Sequence, residues 1–185
     1  MEKSQIKILQ NSFKEYLKTE EPFFEFSVGS DLNTRNSIPF RVIFPGIQLT
    51  LYYFRHLISR IAQFIDYSPI KIFLYRLIGI KIGKGVYISP DVILDSQFPA
   101  LLEIGDYVVL GWGAKIFVHD YNGIIYRIGR VKIGTGTVVG GFSFIRAGVN
   151  IEDNSLVKLG SLNFNNNSQN VTSQLKMKEN IENKV

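Results

Sequence analysis

The chain of 185 residues reads as a mainly β fold, a coil of short stacked strands preceded by an N-terminal helical segment. Three observations carry that reading. From Ile82 to Val157 an aliphatic residue returns every six positions, with a small or β-branched residue four places later in nearly every unit. Fourteen of the 16 glycines fall between Gly79 and Gly160, and all six prolines lie at or before Pro99. After Leu162 the composition shifts again, to an asparagine- and lysine-rich stretch. The divisions expected are therefore residues 1–80, helical and irregular; 81–162, the repeat domain; and 163–185, a polar tail with a short helix near its end.

Within the first segment, "IQLTLYYFRHLISRIAQFID" starts at Ile47 and has helical periodicity. Gln48, Arg55, Ser59, Gln63 and Asp66 fall along one face with His56 beside them, and aliphatic and aromatic residues fill the remainder. His56 is expected on the solvent side, without chemistry. Pro69 opens a second apolar helix, "PIKIFLYRLIG", that stops at Gly79. Two uses fit residues 47–79. One is packing against the repeat domain or a sister subunit. The other is peripheral contact with a membrane, since Arg55, Arg60, Lys71 and Arg76 flank wide apolar faces.

The repeat runs "IGKGVY", "ISPDVI", "LDSQFP" from Ile82, then "IGDYVV", "LGWGAK", "IFVHDY" from Ile104. It resumes at Ile133 with "IGTGTV", "VGGFSF", "IRAGVN", "IEDNSL" and "VKLGSL". A helix cannot hold a strict period of six on one face, and a plain strand has period two. A coil with a short strand and a turn every six residues can, with each aliphatic residue stacked on its equivalent in the next coil ~4.8 Å away. The second position is often glycine, which the turn is expected to demand. Four extra residues, "ALLE", follow the first 18-residue coil, and 11, "NGIIYRIGRVK", follow the second. His119 stands just ahead of the longer insertion. Its neighbour Asp120 takes an inward position, where an uncompensated carboxylate is costly. Either the backbone has left the regular coil there, or Asp120 is held by specific partners.

Composition narrows the chemistry. With no cysteine, disulfides, thiolate metal sites and a cysteine nucleophile are excluded. With only two histidines, His56 and His119, a three-imidazole metal site within one chain is excluded too. The net charge of +5 is spread without any block of five or more Lys/Arg, so nucleic-acid binding is not expected. The first 25 residues hold no apolar core of signal-peptide type, and the 13-residue stretch 42–54 is too short to span a bilayer. The expected location is cytoplasmic, membrane-associated if the helices touch lipid.

Eleven hexads in register resemble the hexapeptide-repeat acyltransferases, over roughly residues 77–162. That resemblance implies a left-handed parallel β-helix, an exception to the usual right-handed crossover. It implies a homotrimer, acetyl-CoA as acyl donor, no metal, and a small-molecule hydroxyl acceptor such as a sugar. "GAKIFVHDY" is similar to the segment that carries the family's catalytic base, which falls on His119. "ILD" resembles a segment of the sugar O-acetyltransferases and gives Asp95 a role in holding the acceptor. Trp112, on a turn of the histidine's coil, walls the acceptor pocket or packs on a neighbouring chain. The long insertion is expected as a loop beside the site. Small residues along the coenzyme groove correspond to Gly140, Gly141, Ala147, Gly160 and Ser161, with Lys158, Arg146, Lys176 or Lys178 supplying positive charge. The family's proline-containing C-terminal element is replaced here by "LNFNNNSQN". The alternative is therefore a non-catalytic β-helix, a scaffold or binding module that has lost the coenzyme site.

Overall fold

The computed structural model of the protein describes residues 3–27, 47–122 and 124–163. The polar tail and the short helix expected near its end lie outside the described residues. The repeat folds into a left-handed parallel β-helix with its hexads in the expected register. Strands β2 (Lys81–Ile82), β3 (Tyr87–Ile88) and β4 (Ile93–Leu94) form the first coil. The next coil is β5 (Leu102–Ile104), β6 (Val109–Leu110) and β7 (Lys115–Ile116). Strands β10 (Val131–Ile133), β11 (Val138–Val139) and β12 (Phe144–Ile145) follow, then β13 (Asn150–Ile151), β14 (Leu156–Val157) and β15 (Leu162–Asn163). Equivalent strands pair in parallel as three four-stranded sheets, β2-β5-β10-β13, β3-β6-β11-β14 and β4-β7-β12-β15. Ile88, Leu110, Ile116, Ile133, Val139 and Ile145 are fully buried, as the first position of each hexad requires.

The glycines divide into two kinds, which corrects the expectation for the second position. A Cβ on Gly111 would stand 2.5 Å from the backbone nitrogen of Gly141, and one on Gly134 would stand 2.4 Å from that of Asp153. Second-position glycine therefore lets one coil approach the next. The left-handed backbone falls at the fourth position, as at Gly113 with φ 66° and Gly160 with φ 68°. There Tyr107 and Phe142 adopt it without being glycine.

The two insertions differ. The shorter folds as a 3-10 turn, Pro99–Leu101. The longer is not a loop, because β8 (His119–Asn122) and β9 (Ile125–Gly129) form an antiparallel hairpin. Its outer strand pairs with β1 (Phe23–Ser27), so the N-terminal segment contributes a strand to a three-stranded sheet β1-β9-β8. Helix α1 (Lys3–Tyr16) packs Phe13 and Tyr16 against Phe24, and Phe13 against Phe98. Arg130 donates to the carbonyls of Tyr16, Leu17 and Thr19 at the end of α1.

Helices α2 (Ile47–Phe64) and α3 (Ser68–Leu77) lie across the open edge of the first coil. That edge has backbone groups with no neighbouring strand. The helices answer with polar side chains. Lys71 Nζ donates to the Ser89 carbonyl at 2.6 Å, Tyr75 Oη to Val92 at 3.2 Å and Ser59 Oγ to Leu94 at 3.4 Å. Ser68 Oγ accepts from the Ile88 amide at 2.9 Å, and Arg76 donates to the carbonyls of Ile82 and Gly83. Both helices thus turn Ser59, Ser68 and Lys71 inward beside Ala62 and Tyr75, while Tyr53, Leu57, Phe64, Phe73 and Leu77 face outward.

Burial pushes the Tyr75 hydroxyl up from 10.0 to about 12 and also raises that of Tyr126. A raised phenol favours the folded state fully below the unfolded value and loses that advantage as pH rises through the folded one. Urea unfolding is therefore expected to show stability falling between pH 10 and about 12. Tyr75→Phe should show a shallower fall over the same window, with the part due to Tyr126 remaining.

Candidate active site

The ladder between β4 and β7 places Leu94 beside Ile116, so the residues that follow each strand meet across the coils. Asp95 follows β4 and His119 opens β8. Although 24 positions apart, His119 Nδ1 lies 2.5 Å from Asp95 Oδ2. The same carboxylate accepts from the Val118 amide at 3.0 Å and the Gln97 amide at 2.8 Å. The Asp95 side chain is 3% exposed and that of His119 is 24% exposed, so only the imidazole reaches the surface. An ionised carboxylate can only accept, which makes Nδ1 the donor and leaves Nε2 of a neutral ring with its lone pair. Phe98, Phe117 and Tyr126 surround the ring at centroid distances of 6.0, 6.4 and 5.8 Å. Gln97 Nε2 donates to Tyr126 Oη at 2.9 Å, which ties that phenol to the turn bearing Asp95.

His119 and Asp95 line a pocket of about 250 Å³ closed on one side by α2. The α2 residues lining it are Tyr52, His56, Ser59, Arg60 and Gln63. His56 is exposed, as expected, yet it lines the site, with Nδ1 3.4 Å from Ser96 Oγ. The reason is that α2 turns its polar side, with Ser59, toward the coil. The signal was in the sequence: His56, Ser59 and Gln63 recur at helical spacing in a helix whose other faces are apolar. Burial raises the Tyr52 phenol, with the nearby Asp95 adding to the effect.

The remaining expectations separate. Asp95, expected to hold an acceptor's hydroxyls, lines the pocket with a nearly fully buried side chain, and both of its oxygens accept hydrogen bonds within the protein, one from the histidine. Trp112 does not line this pocket. Its indole donates to Asp91 at 2.6 Å and packs on Phe142 at 5.3 Å, at the turn between β6 and β7. Gly140, Gly141, Lys158, Gly160 and Ser161 stack at that same turn in the following coils, joined by bonds from Phe142 N to Trp112 O and from Gly160 N to Gly141 O. A Cβ on Gly160 would meet nothing within 4 Å, so this part of the column is open. Ala147 is buried at another turn, against Gly129, and does not join the column.

Both explanations left open for Asp120 hold together. The backbone departs into β8, and Arg146 clamps the carboxylate with two hydrogen bonds of 2.7 and 2.8 Å. Those bonds raise the Arg146 pKa above its ordinary value. Among the described residues, no group of three or more His, Cys, Asp or Glu is placed to hold a metal.

The fold and site define a left-handed β-helix of hexapeptide repeats with a histidine–aspartate pair at one corner. The chain resembles the hexapeptide-repeat acyltransferases in sequence and in fold. It is 32% identical over 107 residues to the Bacillus subtilis protein named "Putative acetyltransferase YvoF", covering 57% of this chain and 62% of that protein. It is 37% identical over 76 residues to the Escherichia coli K12 protein named "Putative colanic acid biosynthesis acetyltransferase WcaF", covering 41% of this chain and 36% of that protein. The chain thus spans less than two thirds of either relative. A hexapeptide-repeat acetyltransferase of Vibrio cholerae superimposes with a TM-score of 0.52 at 17% identity, over 64% of this chain and 82% of that one, which shows the fold. No protein-family model matches the chain.

The carboxylate–imidazole contact makes a spectroscopic prediction. Proton NMR in water should show a downfield Nδ1–H signal that disappears in both Asp95→Asn and His119→Ala. The circular dichroism spectra of the two variants should stay native.

Proposed function

We propose that the protein is an acetyl-CoA-dependent O-acetyltransferase acting on a small hydroxyl compound, with a sugar as the leading class. The observation that carries this reading is the His119 imidazole, fixed by a buried carboxylate at the edge of a polar pocket. The reading of the acceptor draws support from the relative named for colanic acid biosynthesis. The pocket's hydroxyl, amide, imidazole and guanidinium groups suit a polyhydroxyl compound, which offers donors and acceptors together.

His119 acts as general base. With Nδ1–H held by Asp95, Nε2 takes the proton from the acceptor hydroxyl as its oxygen attacks the thioester carbonyl. It returns that proton to the departing thiolate, so that the products are the acetyl ester and free coenzyme A. Asp95 stabilises the imidazolium formed in between and keeps the ring in place, as a positioning residue. The phenyl rings around His119 hold its orientation and limit access of water. Acetyl-CoA, when bound, supplies the acetyl group as a thioester. Gly140, Gly141, Gly160 and Ser161 would hold its pantetheine arm along the open column, and exposed Lys158 would face its phosphates. No protein nucleophile or metal is needed in this scheme. The assembly proposed is a homotrimer, whose subunit grooves would complete the donor site.

Calorimetric titration of acetyl-CoA into the protein should give about one site per chain. His119→Ala should keep that binding and lower kcat ~10²–10⁴-fold on a competent acceptor. Sedimentation velocity should give a trimer of the 21.1 kDa chain. Absence of binding up to millimolar acetyl-CoA would instead favour the scaffold reading, with His119 an inherited remnant.

A further inference from the structure

The packing of α2 and α3 on the first coil leaves an apolar face turned away from the protein. On α2, Tyr53, Leu57, Ile61 and Phe64 lie along one side at helical spacing, and Phe64 is 80% exposed. On α3, Ile70, Phe73 and Leu77 continue the surface, with Phe73 64% exposed, and Tyr67 bridges the two helices. Monomeric soluble proteins rarely leave so continuous a patch of large side chains uncovered. Capping the first coil accounts for the polar side of each helix and leaves the other side without a partner among the described residues.

The charges beside this face select its occupant. Arg60 borders the arc one turn from Phe64, with its guanidinium 5.8 Å from that ring's centre. On α3, exposed Arg76 lies one turn from Phe73 and donates to the Ile82 and Gly83 carbonyls. Of the four basic residues over 47–79, Lys71 is buried against the first coil and Arg55 is half-buried. Exposed Arg60 and Arg76 are therefore the cations bordering the face, against the single acidic Asp66. A second copy of the same face would oppose these arginines with arginines. A surface that is apolar below and anionic at the rim satisfies both the arc and its borders. No helix among the described residues is long and apolar enough to cross a membrane, so such contact is made lying flat.

We infer that the outer face of the α2–α3 hairpin docks the protein on an anionic lipid surface. The hydrophobic side chains enter the headgroup boundary, and Arg60 remains at headgroup level with its stem along the apolar arc. Because the pocket lies under the opposite side of α2, docking brings it within about one helix diameter, ~10–12 Å, of the headgroups. That an acceptor would be met there rests on the acetyltransferase reading. The docking itself does not.

The test is cosedimentation of the full chain with phosphatidylcholine vesicles, with and without phosphatidylglycerol. Binding is expected to the anionic vesicles and to be at least ~tenfold weaker without phosphatidylglycerol or at high salt. The double variant Leu57→Glu/Phe64→Glu should lose at least ~tenfold in partitioning while keeping its circular dichroism melt. If that variant melts early, Phe73→Ser on α3 provides the same comparison with a smaller change. Absence of binding to anionic vesicles, or a folded variant that binds as the wild type does, overturns the proposal. So does a sedimentation-velocity experiment without lipid in which the variants alone fall from oligomer to monomer, since the face would then be a subunit contact. Acetyl-CoA titration of the same samples reports separately on the enzymatic reading, which can fail while docking holds.

Discussion

The parallel hydrogen-bond ladder between successive coils is the constraint on which the rest of this structure depends. It requires equivalent positions to recur at a fixed separation, so insertions are tolerated only at turns. The four-residue insertion is absorbed in a 3-10 turn and the 11-residue one in a hairpin. In both cases the aliphatic positions return to register, with Ile82 beside Ile104 across the first insertion and Ile104 beside Ile133 across the second. The same ladder brings Asp95 to His119. It also ends abruptly at the first coil, and the unpaired edge left there determines which way the N-terminal helices face.

The repeat domain was legible because its signal is redundant. Eleven hexads each specify an inward residue, and loss of the pattern at one of them stands out. His119 was legible for that reason, as the place where the repeat yields to chemistry. Asp120 was legible only as a problem, since a sequence shows a carboxylate in an inward position without showing Arg146 arriving from the coil above. The hairpin was hidden because its partner strand, Phe23–Ser27, is about a hundred residues away and short. The contact of Asp95 with His119 was hidden for a related reason. A carboxylate that binds substrate and one that holds a histidine have the same local sequence, and only the distance between coils separates them.

The direction in which the two helices face was the least legible feature. Amphipathic patterning identifies two faces and assumes that the apolar one is buried. That assumption fails where a helix packs on an open sheet edge, because the edge offers carbonyls and amides and has little apolar surface to cover. Lys71 illustrates the consequence. It is fully buried, and burial lowers its pKa, with nearby Asp66 and Asp91 opposing that shift. A lysine would not be placed in a core on hydropathy alone, but here its ammonium meets the Ser89 carbonyl.

Capping and site formation are joined in α2. Ser59 bonds the Leu94 carbonyl one residue before Asp95, while its neighbours one turn away, His56 and Gln63, line the pocket. The pocket wall is therefore positioned by the same contacts that satisfy the coil's edge. A helix free to slide along the edge would lose hydrogen bonds from Ser59, Ser68, Lys71 and Tyr75 to the first coil. Those bonds fix the polar wall relative to His119, and they do so without using the apolar face. That face is consequently available for contact outside the fold, and the chain obtains a site and a docking surface from opposite sides of one helix.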